Sequence, residues 1–189
     1  MLDFRNLSKE EITKVWEIDR REIIENVYYY ENNTLVLKPE YYDMAGWPRG
    51  EAEIYTPILT SCFERGGWFY GGFNGDRLAC VVVVDSKLIG QLHDMLQLKF
   101  LHIHRAYRKT GYGKQLFEAA SKQAKKQGAR RLYISTTPSE NTIGFYLKRG
   151  CIISQEPESE LFELEPEDIH LEYLLECCNS KPLKNTYSW

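Results

Sequence analysis

Arg108-Lys-Thr-Gly-Tyr-Gly113 stands between the apolar run Met95-Leu-Gln-Leu-Lys-Phe-Leu-His-Ile103 and a helical stretch over residues 114–127. A strand feeding a glycine-bearing turn that opens a helix is suited to meet an anion. The first N–H groups of a helix lack intrahelical acceptors, and the helix dipole favours negative charge there. Gly111 and Gly113 carry no Cβ, so backbone amides can come close to phosphate oxygens, and Arg108 adds a positive fork. The turn is not a P-loop, because Lys114-Gln115 follows Gly113 where that motif needs Lys-Ser or Lys-Thr, and it lacks the three glycines of a dinucleotide fingerprint. A two-glycine helix start also arises from packing alone, so the flanking sequence decides.

On either side of the turn the pattern is that of alternating strands and helices. Residues 131–136 form another β-rich run, and Pro138-Ser139 opens a short helix reaching Gly150. Strand, helix, strand at this spacing predicts a βαβ unit, with the strands around Leu101 and Leu132 parallel within a mixed sheet. Upstream, residues 68–73 and 78–85 flank Asn74-Gly75-Asp76, a hairpin signal, and the wholly apolar Val81 to Val84 predicts a central strand covered on both faces. The helix after Gly113 carries Leu116, Phe117, Ala120 and Ala124 on one side.

The rest of the chain reads in order. Residues 2–5 suggest a first strand, and Ser8-Lys-Glu-Glu11 a capping box opening a helix whose core face takes Ile12, Val15, Trp16 and Ile23. Residues 26–47 are rich in aromatics (Tyr28, Tyr29, Tyr30, Tyr41, Tyr42 and Trp47). Asn32-Asn33 suggests a hairpin-like excursion, while Pro39, Gly46 and Pro48 predict an irregular segment. A second helix is expected over 51–65, with Ile54, Ile58, Leu59 and Cys62 as its stripe, a kink at Pro57 and an end at Gly66-Gly67. Residues 151–154, 161–164 and 170–175 read as terminal strands, and 179–189 as a loosely held tail.

The 189 residues, 43% of them hydrophobic, suffice for one well-buried core and are too few to favour two full domains, so a single domain over 1–189 is expected. Cys62, Cys80, Cys151, Cys177 and Cys178 are odd in number and lack metal-ligand spacing, which fits neither a disulfide framework nor a zinc site. With no apolar run long enough to span a bilayer and no signal-peptide pattern, the expectation is a reduced cytoplasm and no membrane partner. The net charge of −3 argues against nucleic acid as the main partner.

Ile103-His-Arg-Ala-Tyr-Arg108-Lys-Thr-Gly111-Tyr-Gly113, followed by Ser139-Glu-Asn-Thr-Ile-Gly-Phe-Tyr146-Leu-Lys-Arg-Gly150-Cys, resembles the two main motifs of the GNAT superfamily of N-acetyltransferases. The resemblance covers about residues 69–175. Ser139 stands where many members carry Asn, with Asn141 close by, and Cys151 replaces the Phe that usually follows Gly150. The resemblance implies an α/β (α+β) fold with a mixed, mostly antiparallel sheet, a parallel βαβ unit at the coenzyme loop and helices on both faces. It also implies acetyl-CoA as cosubstrate, with no metal. The coenzyme would be bound by Arg108, Lys109, Thr110, Gly111, Tyr112, Gly113 and Lys114, by Ser139 and Asn141, and by the backbone of Leu101, His102 and Ile103. Gly113→Val is then expected to block binding while the fold survives.

Acetyl transfer to an amine needs a neutral nucleophile, a donor for the oxyanion and a proton for the departing thiolate. The resemblance assigns the last task to Tyr146 and the oxyanion donor to an N–H within Leu101 to Ile103. The base stays open between His102, His104, Asp94, Glu140 and a water relay; strand alternation would put both histidines on one face. A cationic acceptor could be held by Glu22, Glu25, Asp43, Glu51 or Glu53 beside the aromatic segment, which in this architecture covers the acceptor side. The expected activity is N-acetylation of a small-molecule primary amine. The alternatives are a catalytically idle acyl-CoA-binding module and a protein or peptide N-acetyltransferase, and a monomer or a homodimer fits equally.

Overall fold

Val81, Val82, Val83 and Val84 are wholly buried, and each such side chain removed from water contributes about 1.5–3 kcal/mol. They form the middle of a sheet with both faces covered. The computed structural model describes residues 1–175. In chain order its elements are β1 (Asp3–Asn6), a 3-10 helix (Lys9–Glu17), β2 (Glu22–Glu31), β3 (Thr34–Met44), α1 (Glu51–Glu64), β4 (Trp68–Asn74), β5 (Arg77–Ile89) and β6 (Met95–Ile103). A short 3-10 turn (Arg105–Tyr107) then leads to α2 (Tyr112–Lys126), β7 (Arg131–Thr136), α3 (Glu140–Leu147), β8 (Ile152–Ile153), α4 (Ser159–Leu164) and β9 (Ile169–Leu174).

Seven strands pair in the order β1-β4-β5-β6-β7-β9-β8, and β2 and β3 form a separate ribbon. Every pairing in the large sheet is antiparallel except β6 with β7. Two apolar layers clamp the sheet. On one face Leu116, Phe117, Ala120 and Ala124 of α2 pack with Val82, Val84, Leu96, Leu98, Leu132 and Ile134. On the other, Ile12 and Val15 of the 3-10 helix and Leu59 and Cys62 of α1 pack with Phe69, Val81, Val83 and Phe100.

One irregularity positions everything that follows. Val83 pairs with Phe100 and the next residue, Val84, with Leu98, so Lys99 is an extra residue bulged out of β6. The bulge switches the alternation: Leu98 belongs to the α2 layer and Phe100 to the α1 layer. Lys99 Nζ is held by Gln97 Oε1 at 2.7 Å and Asp85 Oδ2 at 3.3 Å. β6 and β7 pair only at Met95 with Arg131, Leu96 with Leu132 and Gln97 with Tyr133. Beyond Gln97 the two strands part, and an opening lies between them in the middle of the sheet.

Four expectations need correction. The aromatic segment is not irregular: Asn32 and Asn33 take left-handed φ values of 49° and 60°, as a two-residue hairpin turn requires, and residues on either side pair regularly. Pro39 is accommodated because it lies opposite Asn26, next to a register shift in this two-stranded ribbon. Ile23 lies in β2 and is exposed rather than on a core helix face, because the first helix is of the 3-10 type and ends at Glu17. Residues 161–164 belong to α4, not to a strand, and α1 runs unbroken through Pro57 with Ile54 on its exposed side. The proposed tail, with Cys177 and Cys178, lies outside the described residues.

The capping box is formed at Ser8 and Glu11. Glu11 Oε2 accepts from the Ser8 N–H at 3.1 Å, while the Ser8 hydroxyl turns to Glu10. Among the described residues, no helix is long and apolar enough to cross a membrane.

Candidate active site

The turn after β6 is fixed by its backbone. Lys109 and Gly111 have left-handed φ values of 62° and 95°, and the Thr110 hydroxyl donates to Tyr107 O at 2.5 Å. Successive amides in such a turn, joined to the start of a helix, converge on a concavity that suits an anion. The Arg108 guanidinium is directed inward. It donates to Ile103 O at 3.3 Å, Arg20 O at 2.9 Å and Glu22 Oε2 at 3.1 Å. Anion binding at this turn would therefore rest on main-chain N–H groups. The two glycines differ in purpose. A Cβ on Gly111 would meet nothing within 4 Å, so its requirement is conformational. On Gly113 it would come within 2.9 Å of Phe145 Cε2 and 3.1 Å of Ile103 Cδ1, so Gly113 lets α2 pack closely on α3 and β6. A valine there presses on that packing, which alters the expectation that the fold would be untouched.

The same strand presents free backbone to the opening. The His104 N–H donates to Ala79 O on the β5 side. By alternation, the amides of Leu101 and Ile103 point away from β5, toward the gap left by β7, and Ile103 O receives Arg108 from that side.

Across the gap, Ser139 is the N-cap of α3: its hydroxyl accepts from the Thr142 N–H at 3.3 Å, and its side chain is buried. Asn141 Nδ2 donates to Glu22 Oε1 at 2.9 Å, so Glu22 joins α3 to Arg108 beside the glycine turn. Tyr146 is 5% exposed, its ring against Phe117 and Phe145. Burial raises its phenol well above the usual tyrosine range, so the hydroxyl keeps its proton at neutral pH.

On the α1 side of the opening, Trp47 packs edge-on against His102 with centroids 4.7 Å apart, and Arg20 lies over the indole at 4.7 Å. Arg20 reaches Glu51 at 3.4 Å, and the second Glu51 oxygen, Oε2, is buried without a hydrogen-bond partner. Burial raises the Glu51 carboxyl against the opposing pull of Arg20. The Tyr55 hydroxyl donates to Glu165. Ser135, on β7, donates to Asp168 Oδ2 at 2.8 Å. Burial pushes the Asp168 carboxyl up to about 6, with Ser135 working in the opposite direction. Burial, reinforced by Arg20 and Arg108, pushes the His102 imidazole down to about 3, so it is neutral.

A sequence profile described as the acetyltransferase (GNAT) family matches residues 36–151, more than half of the chain. The chain belongs to the GNAT acetyltransferase family. No curated protein matches it by sequence. Among solved structures it is similar to nourseothricin acetyltransferase, with 14% identity over 93% of this chain and 99% of that one and a TM-score of 0.67. It is also similar to a putative streptothricin acetyltransferase from Bacillus anthracis in complex with acetyl coenzyme A (16% identity; 92% and 99% covered; TM-score 0.65). A third is the PaiA N-acetyltransferase from Thermoplasma acidophilum in complex with coenzyme A (17%; 92% and 99%; 0.61). At these identities the likeness shows a shared fold.

Within this GNAT fold the candidate bases separate. Asp94 is ion-paired with Arg131 at 2.7 Å at the far end of β6, nine residues or about 30 Å of extended strand from Ile103. It has no part in the site. A cavity of about 390 Å³ near it, lined by Met95, Arg131, Glu158 and Glu172 among others, is likewise remote from the glycine turn. His104 caps the 3-10 turn through Nδ1 and faces Tyr107, whereas His102 faces Trp47 and Phe100. The strand ends between them, so they do not share a face. Glu140 accepts from Asn26 Nδ2 at 2.8 Å on the outer side of the hairpin. Of the five acidic residues proposed for the acceptor, Glu22 and Glu51 lie at the opening, while Glu25, Asp43 and Glu53 are exposed elsewhere. Arg20, Ser135 and Asp168 were missed. They carry no motif, and only strand pairing brings Ser135 and Asp168 together.

Proposed function

We propose that the protein transfers the acetyl group of acetyl-CoA to a primary amine of a small cationic molecule. The observation that carries the reading is the opening between β6 and β7, with the amides of Leu101 and Ile103 turned into it and the glycine turn at its end. The pyrophosphate is received by backbone N–H groups of residues 109–114, and the pantetheine arm lies along β6 as an added strand would. An amide of Leu101 or Ile103 receives the oxyanion, and Tyr146 protonates the leaving thiolate. The acceptor enters from the α1 side, where Glu51, Glu165 and Asp168 outnumber the guanidinium of Arg20. That favours a cation, and Trp47 and Tyr55 offer apolar walls.

Amino acids, polyamines, aminoglycoside-like amines and short peptides should be assayed by thiol release from acetyl-CoA, beside calorimetric titration with coenzyme A. Turnover with a compact polyamine or amino sugar is expected. Turnover with peptides alone would move the protein to the peptide-acetylating class, and coenzyme A binding without any turnover would make it an idle acyl-CoA-binding module.

A further inference from the structure

Asp168 is a half-buried carboxylate on the β7 side of the splayed sheet. It stands just before β9, beyond the last β7–β9 pair, Thr136 with Ile169. Its backbone N–H is held by Glu165 O at 3.2 Å and its Oδ2 by the Ser135 hydroxyl at 2.8 Å. Both anchors lie on the β7 side of the opening. Among the described residues, the bond from Ser135 is the one hydrogen bond this carboxylate accepts, which leaves Oδ1 for another donor. Tyr146 on α3 and Tyr55 on α1 lie within electrostatic reach, as do Tyr133 on β7, Glu165 on the preceding loop and Arg20 from the opposite wall. Glu165 is exposed and already accepts from the Tyr55 hydroxyl, and the phenols and the guanidinium are poor proton acceptors near neutral pH. Tyr146 and Tyr55 hold their protons tightly, and Arg20 is a permanent cation.

Resting on the acetyltransferase reading above, we infer that Asp168 is the proton acceptor for the amine, held in place by Ser135. The acceptor arrives as R–NH3+ and gives one proton to Asp168 Oδ1. The nitrogen lone pair attacks the thioester carbonyl carbon, forming C–N. The C–S bond breaks, and the thiolate takes the proton of Tyr146. The amide nitrogen sheds its second proton, which restores Tyr146 through solvent, and Asp168 releases its own to water. The sum is R–NH3+ plus acetyl-CoA giving R–NH–acetyl, CoA–SH and one proton.

The placement also explains the chemistry. Burial raises the carboxyl toward the working pH, where a base is most effective, without removing its hydrogen-bonded support.

The test is the pH dependence of kcat/KM for the best amine in wild type, Asp168→Asn and Ser135→Ala, with acetyl-CoA affinity and thermal midpoint measured on each. Asparagine keeps the bond from Ser135, so the fold should hold. Asp168→Asn should lower kcat/KM by about 10²–10⁴-fold and abolish the acid limb expected near pH 6 in wild type. Acetyl-CoA affinity should be unchanged. Ser135→Ala should move that limb to higher pH, because the lost hydrogen bond had favoured the charged carboxylate. Asp168→Asn retaining the wild-type limb, or more than half of wild-type kcat/KM, would overturn the role of Asp168 and leave the acetyltransferase reading intact. Wild-type protein that binds acetyl-CoA yet acetylates no amine would overturn both.

Discussion

At the residue scale, the roles proposed for Tyr146 and Gly111 lie at opposite ends of the coenzyme. The phenol is buried and protonated, and a phenylalanine preserves its contacts with Phe117 and Phe145. Tyr146→Phe should therefore lower kcat by about 10²–10⁴-fold with little change in KM for acetyl-CoA, because the proton matters only as sulfur departs. Single-turnover rates that stay within twofold of wild type would remove the residue from the mechanism. Gly111 separates conformation from sterics. Its Cβ position is open, yet its φ of 95° lies where an L side chain costs about 1–2 kcal/mol. Gly111→Ala should weaken coenzyme A in calorimetry while leaving α2 helical by circular dichroism. Unchanged affinity would mean that the turn is scaffold only.

At the element scale, the bulge at Lys99 explains what the sequence revealed and what it concealed. Most strands and long helices were legible, because Val81 to Val84, the α2 stripe and the Asn74-Gly75-Asp76 turn act through near neighbours. The glycine turn and Tyr146 were also legible, as motif. Alternation from Leu98 to Phe100 was not, since a bulge is a pairing between strands and leaves no local mark. The acceptor wall was hidden for a related reason. Arg20, Ser135 and Asp168 come from three distant stretches and meet only once the sheet is built. Deleting Lys99 should turn either Leu98 or Phe100 with His102 out of its layer. The expected result is loss of the cooperative thermal transition, and retention of the native midpoint would show that the sheet absorbs the slip elsewhere.

At the scale of the whole molecule, two site residues leave opposite marks on stability. His102 has a lowered folded pKa of about 3, so its contribution is present above about 6.5 and is lost as pH falls toward 3. Asp168 has a raised one of about 6, so its contribution is present below about 3.8 and is lost as pH rises through 6. Between roughly pH 4 and 6 each proton is worth about 1.4 kcal/mol per pH unit, and the two slopes oppose each other. Removing one should expose the other. Urea titrations of Asp168→Asn should show stability falling more steeply than wild type as pH drops from 6 to 4, and parallel curves would mean that Asp168 titrates as an ordinary surface carboxylate.

The parting of β6 from β7 gives this protein an unpaired strand edge in the interior of its sheet rather than at the rim. Rim strands are shielded from foreign chains by charge, proline or twist, whereas β6 beyond Gln97 pairs with no strand on its β7 side. The sheet is thus unfinished in the protein alone, and whatever lies along Leu101 and Ile103 completes it. Their amides should exchange with deuterium rapidly in the free protein and slowly once coenzyme A is bound, at rates set by how often the ligand leaves. With ligand at a hundred times its dissociation constant the folded state gains about 2.7 kcal/mol. The supply of coenzyme would then set the apparent stability of the protein.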